Sequence, residues 1–166
     1  NVTYHNYYKH VKMVVKEKMR EYVLYQCGTP KPEEGLFGSE ATFFQVPVEK
    51  AATGVSIPAA FIEDLELEHK LHMTDGAFIS SSCLLKQMTE CDTIPHQSIG
   101  NTDWQTSEPD AAKTAWITAI AETDAIGVVF TDDWGTGASG TDKDVVLAAS
   151  LDNGLLHTAE WIKFVS

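Results

Sequence analysis

One segment, residues 125–131 (AIGVVFT), constrains the fold of this chain more than any other. It is a continuous apolar run rich in β-branched residues, without the polar–apolar alternation of a half-exposed strand. Such runs are typical of parallel strands that are covered on both faces by helices. The segment therefore predicts an α/β fold built around a parallel sheet.

The N-terminal part of the chain predicts strands, and the remainder alternates short apolar runs with helical periods. Two Tyr- and Val-rich segments, residues 2–15 and 20–27, are predicted to be strands and are expected to pair as an N-terminal hairpin. Residues 28–32 (GTPKP) end the second strand. Further strands are predicted over residues 41–48 and 51–55.

Serine and proline residues mark three expected helix starts, which are Ser56, Ser81 or Ser82, and Pro109, and a last helix is expected from Leu155. Pro58 would then lie in the first turn of the first helix. Trp116, Ala119 and Ile120 would face the core from the third helix, since their spacing matches one helical face.

The chain is strongly acidic, with a formal net charge of −12. An acidic surface repels phosphate backbones and anionic lipid, so we expect no nucleic-acid partner and no docking on an anionic membrane. No apolar run has the length of a membrane span, and the first residues lack the basic and apolar regions of a signal peptide. The composition favours a soluble globular domain.

The three cysteines, Cys27, Cys83 and Cys91, form no CxxC pair and no Cys/His metal spacing. The simplest interpretation is three buried or half-buried thiols. The alternative is a Cys83–Cys91 disulfide, which would suit an oxidising compartment but requires the intervening segment to fold back. Residues 1–3 (NVT) form an N-glycosylation sequon at Asn1, which favours secretion.

Motifs for catalysis are absent from the sequence: there is no GxSxG elbow, no defensible Cys/His pairing and no phosphate-binding glycine loop. His69 and His72 lie three apart on a segment that predicts a helix, so both could face one metal ion with Glu66 or Glu68 nearby. Exposed helical histidines are the simpler interpretation. We therefore predict neither an enzyme, nor a cofactor, nor a metal site.

The most unusual stretch is residues 131–144 (TDDWGTGASGTDKD), which directly follows the buried strand. In open α/β sheets, ligands bind beyond the carboxyl ends of the strands. Glycines there let backbone approach a ligand, and Trp134 offers a flat apolar face with one donor. Two alternatives are an acidic turn whose Trp134 fills a packing gap, and a calcium site. The calcium ligands would be Asp132, Asp133, Asp142 and Asp144, whose spacing departs from the EF-hand pattern.

Five segments, in chain order, carry a resemblance to one family: residues 8–12 (YKHVK), 22–30 (YVLYQCGTP), 46–52 (VPVEKAA), 130–135 (FTDDWG) and 159–164 (AEWIKF). They resemble the N-terminal hairpin, the first parallel strand, the loop after the fourth strand and the inter-lobe helix of one protein class. These are the ABC-transporter substrate-binding proteins for iron-siderophores and cobalamin, and the resemblance is to their first lobe.

The resemblance implies a Rossmann-like parallel sheet flanked by helices, with an N-terminal β-hairpin extension. The implied domains are the extension over residues 1–45, the ligand-binding lobe over 46–154, and the start of an inter-lobe or C-terminal helix over 155–166. It also implies an extracellular or periplasmic protein that binds a metal chelate, siderophore or cobalamin and docks on a membrane permease.

Three loops would supply the ligand contacts that the resemblance implies: residues 54–58, 74–78 and 131–136. The expected contact residues are Ser56, Phe78, Thr131, Trp134, Gly135 and Thr136. Ile57 and Pro58 depart from the polar residues that the family has after the serine.

A second function stays open, namely an extracellular structural or self-assembling protein that reuses a single lobe. The Tyr-rich N-terminal strand could add to the sheet edge of a neighbour. An apolar stripe over residues 155–165 could form a second contact, and either would give a homo-oligomer.

Overall fold

The computed structural model describes residues 1–97, 111–135, 138–151 and 154–165. The chain divides into two compact units, Asn1–Glu49 and Lys50–Ser166. The boundary therefore lies between Glu49 and Lys50, whereas the sequence predicts it after position 45.

The first unit is a four-stranded mixed sheet that includes the predicted hairpin and two further strands. Its strands are β1 (Val2–Tyr4), β2 (Tyr8–Val15), β3 (Lys18–Gln26) and β4 (Thr42–Val46), in the order β1-β2-β3-β4. The first three are antiparallel, and β4 runs parallel to β3. The β2–β3 turn is tight, with positive φ at Lys16 and Glu17, as in the turns whose twist matches a hairpin.

One strand prediction for this unit is wrong. Residues 2–15 are two strands, because the backbone turns between them and the amide of His5 donates to the carbonyl of Tyr8 at 2.9 Å. The strand predicted over residues 41–48 is confirmed as β4, and it pairs with β3 in the N-terminal sheet. A sequence period of two identifies a strand but not its neighbour, since the neighbour is chosen by long-range pairing.

The second unit contains a five-stranded sheet in which every pair is parallel. Its strands are β5 (Lys50–Thr53), β6 (Leu71–Asp75), β7 (His96–Gln97), β8 (Ile126–Thr131) and β9 (Asp144–Val146). Their order is β7-β6-β5-β8-β9. The predictions of an α/β fold, a parallel sheet and a buried strand at residues 125–131 are thus confirmed, because β8 lies between two partners and is almost wholly buried.

The described helices are α1 (Ser56–Asp64), α2 (Ser82–Thr89), α3 (Ala111–Glu122), α4 (Leu155–Glu160) and α5 (Ile162–Val165). The chain steps from β5 through α1 and α2 to β7, then returns through α3 to β8 on the other side of β5. Because parallel crossovers are right-handed, α1 and α2 lie on one face of the sheet and α3 on the other. None of the described helices has the length and apolar character needed to cross a membrane.

Helix ends agree only partly with the predictions. Ser81 caps α2, since its hydroxyl accepts a hydrogen bond from the amide of Leu84 at 3.2 Å. Ser56 is not a cap: it is the first residue of α1, and Val55 occupies the capping position without a side-chain bond. The helix predicted from Leu155 onward is broken at Trp161 into α4 and α5. The predicted start at Pro109 lies outside the described residues.

The core of the second unit forms where α3 packs on the sheet. Trp116 and Ile120 of α3 are fully buried against four sheet residues, Ala52, Met73, Ile126 and Val129. Both positions are predicted from their spacing, and the third predicted residue, Ala119, is partly buried and packs against the same cluster, because a helix on one face of a sheet must bury one stripe. This packing anchors the strands whose carboxyl ends carry the candidate site.

Candidate functional site

The carboxyl ends of β6, β5 and β8 lie side by side at one edge of the second unit. Each of these strands ends in or near a buried threonine, namely Thr74, Thr53 and Thr131. The hydroxyls of Thr53 and Thr74 are 2.8 Å apart, and the amide of Gly54 donates to the carbonyl of Phe130 at 2.9 Å. These bonds join the three strand ends into one rigid base beneath the loops.

The strand order changes direction at β5. The connection after β5 leads through α1 to β6, on one side of β5 in the strand order. The connection after β8 leads to β9, which lies in the opposite direction along the sheet. In doubly wound sheets the two connections diverge at such a point, and ligands bind above the carboxyl ends of the two neighbouring strands. The residues that follow β5 and β8 occupy the corresponding positions in this sheet.

Phe78 is held out of the core by the loop that follows β6. Its side chain is 80% exposed, and its φ of +63° lies in the left-handed region, which is a genuine outlier for a bulky residue. The loop is organised by Asp75, which is buried and accepts a hydrogen bond from the amide of Ala77 at 2.9 Å. The sequence offers Asp75 as the signal for this turn, since Asp side chains commonly bond the amide two residues ahead.

Trp134 is presented by the same device in the loop after β8. The Oδ1 atom of Asp132 accepts a hydrogen bond from the amide of Trp134 at 2.9 Å. Gly135 follows with a φ of +82°, a conformation that favours glycine because it has no Cβ. The indole is 62% exposed. Two strands of the sheet are thus each followed by an Asp-organised turn and an exposed aromatic ring.

The structure brings most of the predicted contact residues to this edge. Ser56 is half-buried at the start of α1, and Phe78, Trp134 and Gly135 lie in the neighbouring loops. Thr131 differs from the prediction, because it is 1% exposed and forms part of the buried base rather than the surface. Thr136 lies outside the described residues. Thr53 supports this edge from outside the three predicted loops, whereas Thr74 and Asp75 lie in the predicted loop 74–78 and support it without being among the expected contacts.

The acidic loop after Trp134 is closed on itself. The carboxylate of Asp144 accepts hydrogen bonds from the amides of Ser139 and Gly140, at 2.9 and 2.8 Å, and from the Ser139 hydroxyl at 2.7 Å. Asp144 therefore stabilises the turn. Across the described residues, no three or more His, Cys, Asp or Glu side chains are arranged to bind one metal ion, and the calcium set of Asp132, Asp133, Asp142 and Asp144 is accordingly not assembled.

The histidine pair lies in a different setting from the predicted one. His69 is part of a short 3₁₀ turn, Glu68–Lys70, and His72 is in β6, so the two do not share a helix. The prediction of a helix through residue 72 is wrong because β6 pairs with β5 along its length. A helical period of three can be overridden by strand pairing when the segment is short.

The cysteine predictions are also corrected. Cys27, Cys83 and Cys91 are all exposed and free, so they are not buried thiols and Cys83 is not joined to Cys91. Helix α2 continues to Thr89, so the chain between the two cysteines is extended by roughly 1.5 Å per residue and does not fold back. Asn1 is exposed, and its glycosylation stays a prediction.

The chain matches no protein-family model, and no curated protein and no solved structure matches it significantly. The resemblance to substrate-binding proteins therefore stays a prediction, and the geometry of the edge is the basis for a functional proposal.

Proposed function

We propose that the second unit is a Rossmann-like ligand-binding lobe, of the type found in ABC-transporter substrate-binding proteins. Its ligand binds at the carboxyl edge of the sheet, across the loops that follow β6, β5 and β8. The observation that supports this proposal most directly is the order β7-β6-β5-β8-β9. Doubly wound sheets have their ligand crevice at the reversal of strand order.

The exposed rings of Phe78 and Trp134 are the ligand-contacting groups in this proposal. They follow strands on either side of β5, so their loops start about 10 Å apart, which is two strand spacings. A gap of this width suits a ligand of several rings or chelate arms, such as a metal chelate, siderophore or cobalamin. Exposed aromatic rings gain binding energy when they cover the apolar rings or arms of such a ligand.

Binding rather than catalysis is the proposed activity, because the groups that line this edge suit recognition. They are two exposed aromatic rings, Phe78 and Trp134, and the hydroxyl of Ser56. Location outside the cytoplasm and docking on a membrane permease belong to the same proposal and come from the family resemblance.

Tryptophan fluorescence tests this site. The wild-type chain is titrated with a ferric hydroxamate, a ferric catecholate and a cobalamin, and the titrations are repeated with Trp134→Phe and with the control Trp161→Phe. We expect one ligand to quench the wild-type and control proteins and to lose most of that quenching in Trp134→Phe. No response to any of the three, or quenching that persists in Trp134→Phe, would contradict the proposal.

Self-assembly is the second candidate function, and the edge strand β1 favours it. All three residues of β1 are exposed, and Tyr4 is 72% exposed. Its outer edge faces away from β2, so a strand of another chain can pair there. Light scattering on the wild type and on Tyr4→Lys tests this function: we expect an assembly that the lysine variant dissolves, whereas a monodisperse wild-type monomer at high concentration eliminates it.

A further inference from the structure

A second concave site lies at the opposite edge of the same sheet. It is a cavity of about 550 Å³ at the amino ends of β5 and β6, bordered on its other side by the segment that follows α2. Strand β6 has five residues, so roughly 16 Å of strand separates this cavity from the carboxyl edge. The two sites therefore do not share residues.

The cavity combines an apolar floor with a charged wall. Leu71 and Ile94 line it and are 3% and 2% exposed, so they form a closed floor. Lys50 and Glu68 line the wall, and both are half-buried. Cys91 lines the same cavity and is exposed, which makes it a chemical reporter of what enters.

The two opposite charges in this wall do not neutralise each other. The ammonium group of Lys50 donates to the backbone carbonyl of His69 at 2.8 Å, which leaves two further N–H donors. Across the described part of the chain, the carboxylate of Glu68 has no ion pair or side-chain hydrogen bond. Both side chains are only partly buried, so a ligand that carries the opposite charges can reach each of them and form charge-assisted hydrogen bonds.

The size of the cavity favours an organic ligand over a bare ion. Cavities of several hundred Å³ suit small organic molecules. A metal ion needs converging ligands, and no three metal-binding side chains converge among the described residues.

We infer that this cavity binds a small zwitterion with an apolar side chain, that is, an amino acid or a short peptide. Its carboxylate pairs with Lys50, its ammonium group pairs with Glu68, and its side chain rests on Leu71 and Ile94. This inference does not depend on the proposed function, because it concerns the other edge of the sheet.

Calorimetric titration with the twenty amino acids and the dipeptide Leu-Leu tests the inference directly. For leucine, the matched analogues are 3-methylbutylamine, which lacks the carboxylate, and 4-methylpentanoate, which lacks the amine. We expect an apolar amino acid or the dipeptide to bind, and each single-charge analogue to bind about tenfold or more weakly, as for the loss of one charge-assisted hydrogen bond. If no member of the panel binds, or the analogues bind equally well, the inference is overturned.

Paired variants identify the charges involved. Lys50→Met and Glu68→Gln remove the charges in the cavity, while Lys70→Met and Glu66→Gln remove neighbouring charges that do not line it. We expect the first pair to weaken binding about tenfold or more and the second pair to leave it within about twofold. Equal effects from both pairs would mean that net charge, rather than this cavity, governs binding.

Alkylation of the cysteines locates the ligand. Cys27 and Cys83 are exposed but do not line the cavity, so they serve as internal references. We expect the bound zwitterion to slow iodoacetamide labelling of Cys91 and to leave the two references unchanged. Labelling of Cys91 at an unchanged rate under saturating ligand would place the ligand elsewhere and refute the inference, whatever the result of the Trp134 titration.

Discussion

Phe78 is the residue whose backbone and side chain both depart from what packing alone would select. A left-handed φ costs an L-residue about 1–2 kcal/mol, and a phenylalanine that is 80% exposed regains little by burial. Strained positions of this kind cluster at ligand-binding sites. The sequence identifies Phe78 as a contact only through the family resemblance, since nothing in its neighbours predicts the positive φ.

Replacing Phe78 with glycine should therefore test whether the backbone at this position is strained. Phe78→Gly relieves the strain and adds about 0.5–1 kcal/mol of backbone entropy cost, so we expect the free energy of unfolding to change by about 1 kcal/mol or less. Phe78→Ala, which keeps the strain, is the matched comparison and should be the less stable of the two. Urea unfolding measures the stability of the two variants. A glycine variant clearly less stable than the alanine variant would contradict the assignment of backbone strain to Phe78.

At the scale of elements, one carboxylate fastens the connection between β3 and β4 to the N-terminal sheet. Glu21 in β3 is 8% exposed and contacts the Nε2 atom of His10 at 2.6 Å and the ammonium group of Lys12 at 3.3 Å. It also accepts a hydrogen bond from the amide of Gly38 at 3.1 Å. Phe37 adds edge-on ring contacts to Tyr8, His10 and Phe43, at 5.9, 5.0 and 5.4 Å between centroids.

This arrangement predicts how stability depends on pH. Burial of Glu21 opposes its ionisation, but the bonds from His10, Lys12 and Gly38 outweigh burial and hold the pKa of Glu21 below its ordinary value. A lowered carboxyl pKa adds stability above the unfolded-state pKa of about 4.5, and that stability is lost as the pH falls through the folded-state pKa.

The variant Glu21→Gln should thus destabilise the protein by about 1 kcal/mol near pH 7 and by much less near pH 3. Glu40→Gln, an exposed neighbour in the same connection, is the control and should have no effect at either pH. Urea unfolding of the two variants and the wild type gives the comparison. A difference between Glu21→Gln and wild type that does not shrink in acid would refute the role of the charge.

Across the whole molecule, the protection of backbone amides from hydrogen exchange should depend on where each strand lies in its sheet. Strand β8 is bonded on both sides and almost wholly buried, whereas β1 is an edge strand with every residue exposed. Amide hydrogen exchange should therefore be slowest at Val128, Val129 and Phe130 and much faster at Thr3, because edges open without global unfolding. Equal protection of the two strands, by mass spectrometry of exchanged peptides, would contradict this hierarchy.

Local patterns are enough to predict several elements and part of the core. The apolar run of β8, the Ser81 cap of α2 and the inward positions of Trp116 and Ile120 all follow from interactions within a few residues. These features are predictable because each depends on side-chain period or on one short-range hydrogen bond.

Pairing and burial were decided by the tertiary structure. Strand pairing placed β4 beside β3 in the N-terminal sheet and made His72 a strand residue. Packing within the second sheet buried Thr131 at the base of the candidate site. Each outcome depends on which distant segment supplies the neighbour, and a sequence of residues states its own preferences but not the identity of that neighbour. The sequence by itself thus determined the buried strand β8, the start of α2 and the inward stripe of α3, because these depend on neighbours in the chain. Long-range contacts decided which side chains meet at the edges of the sheet.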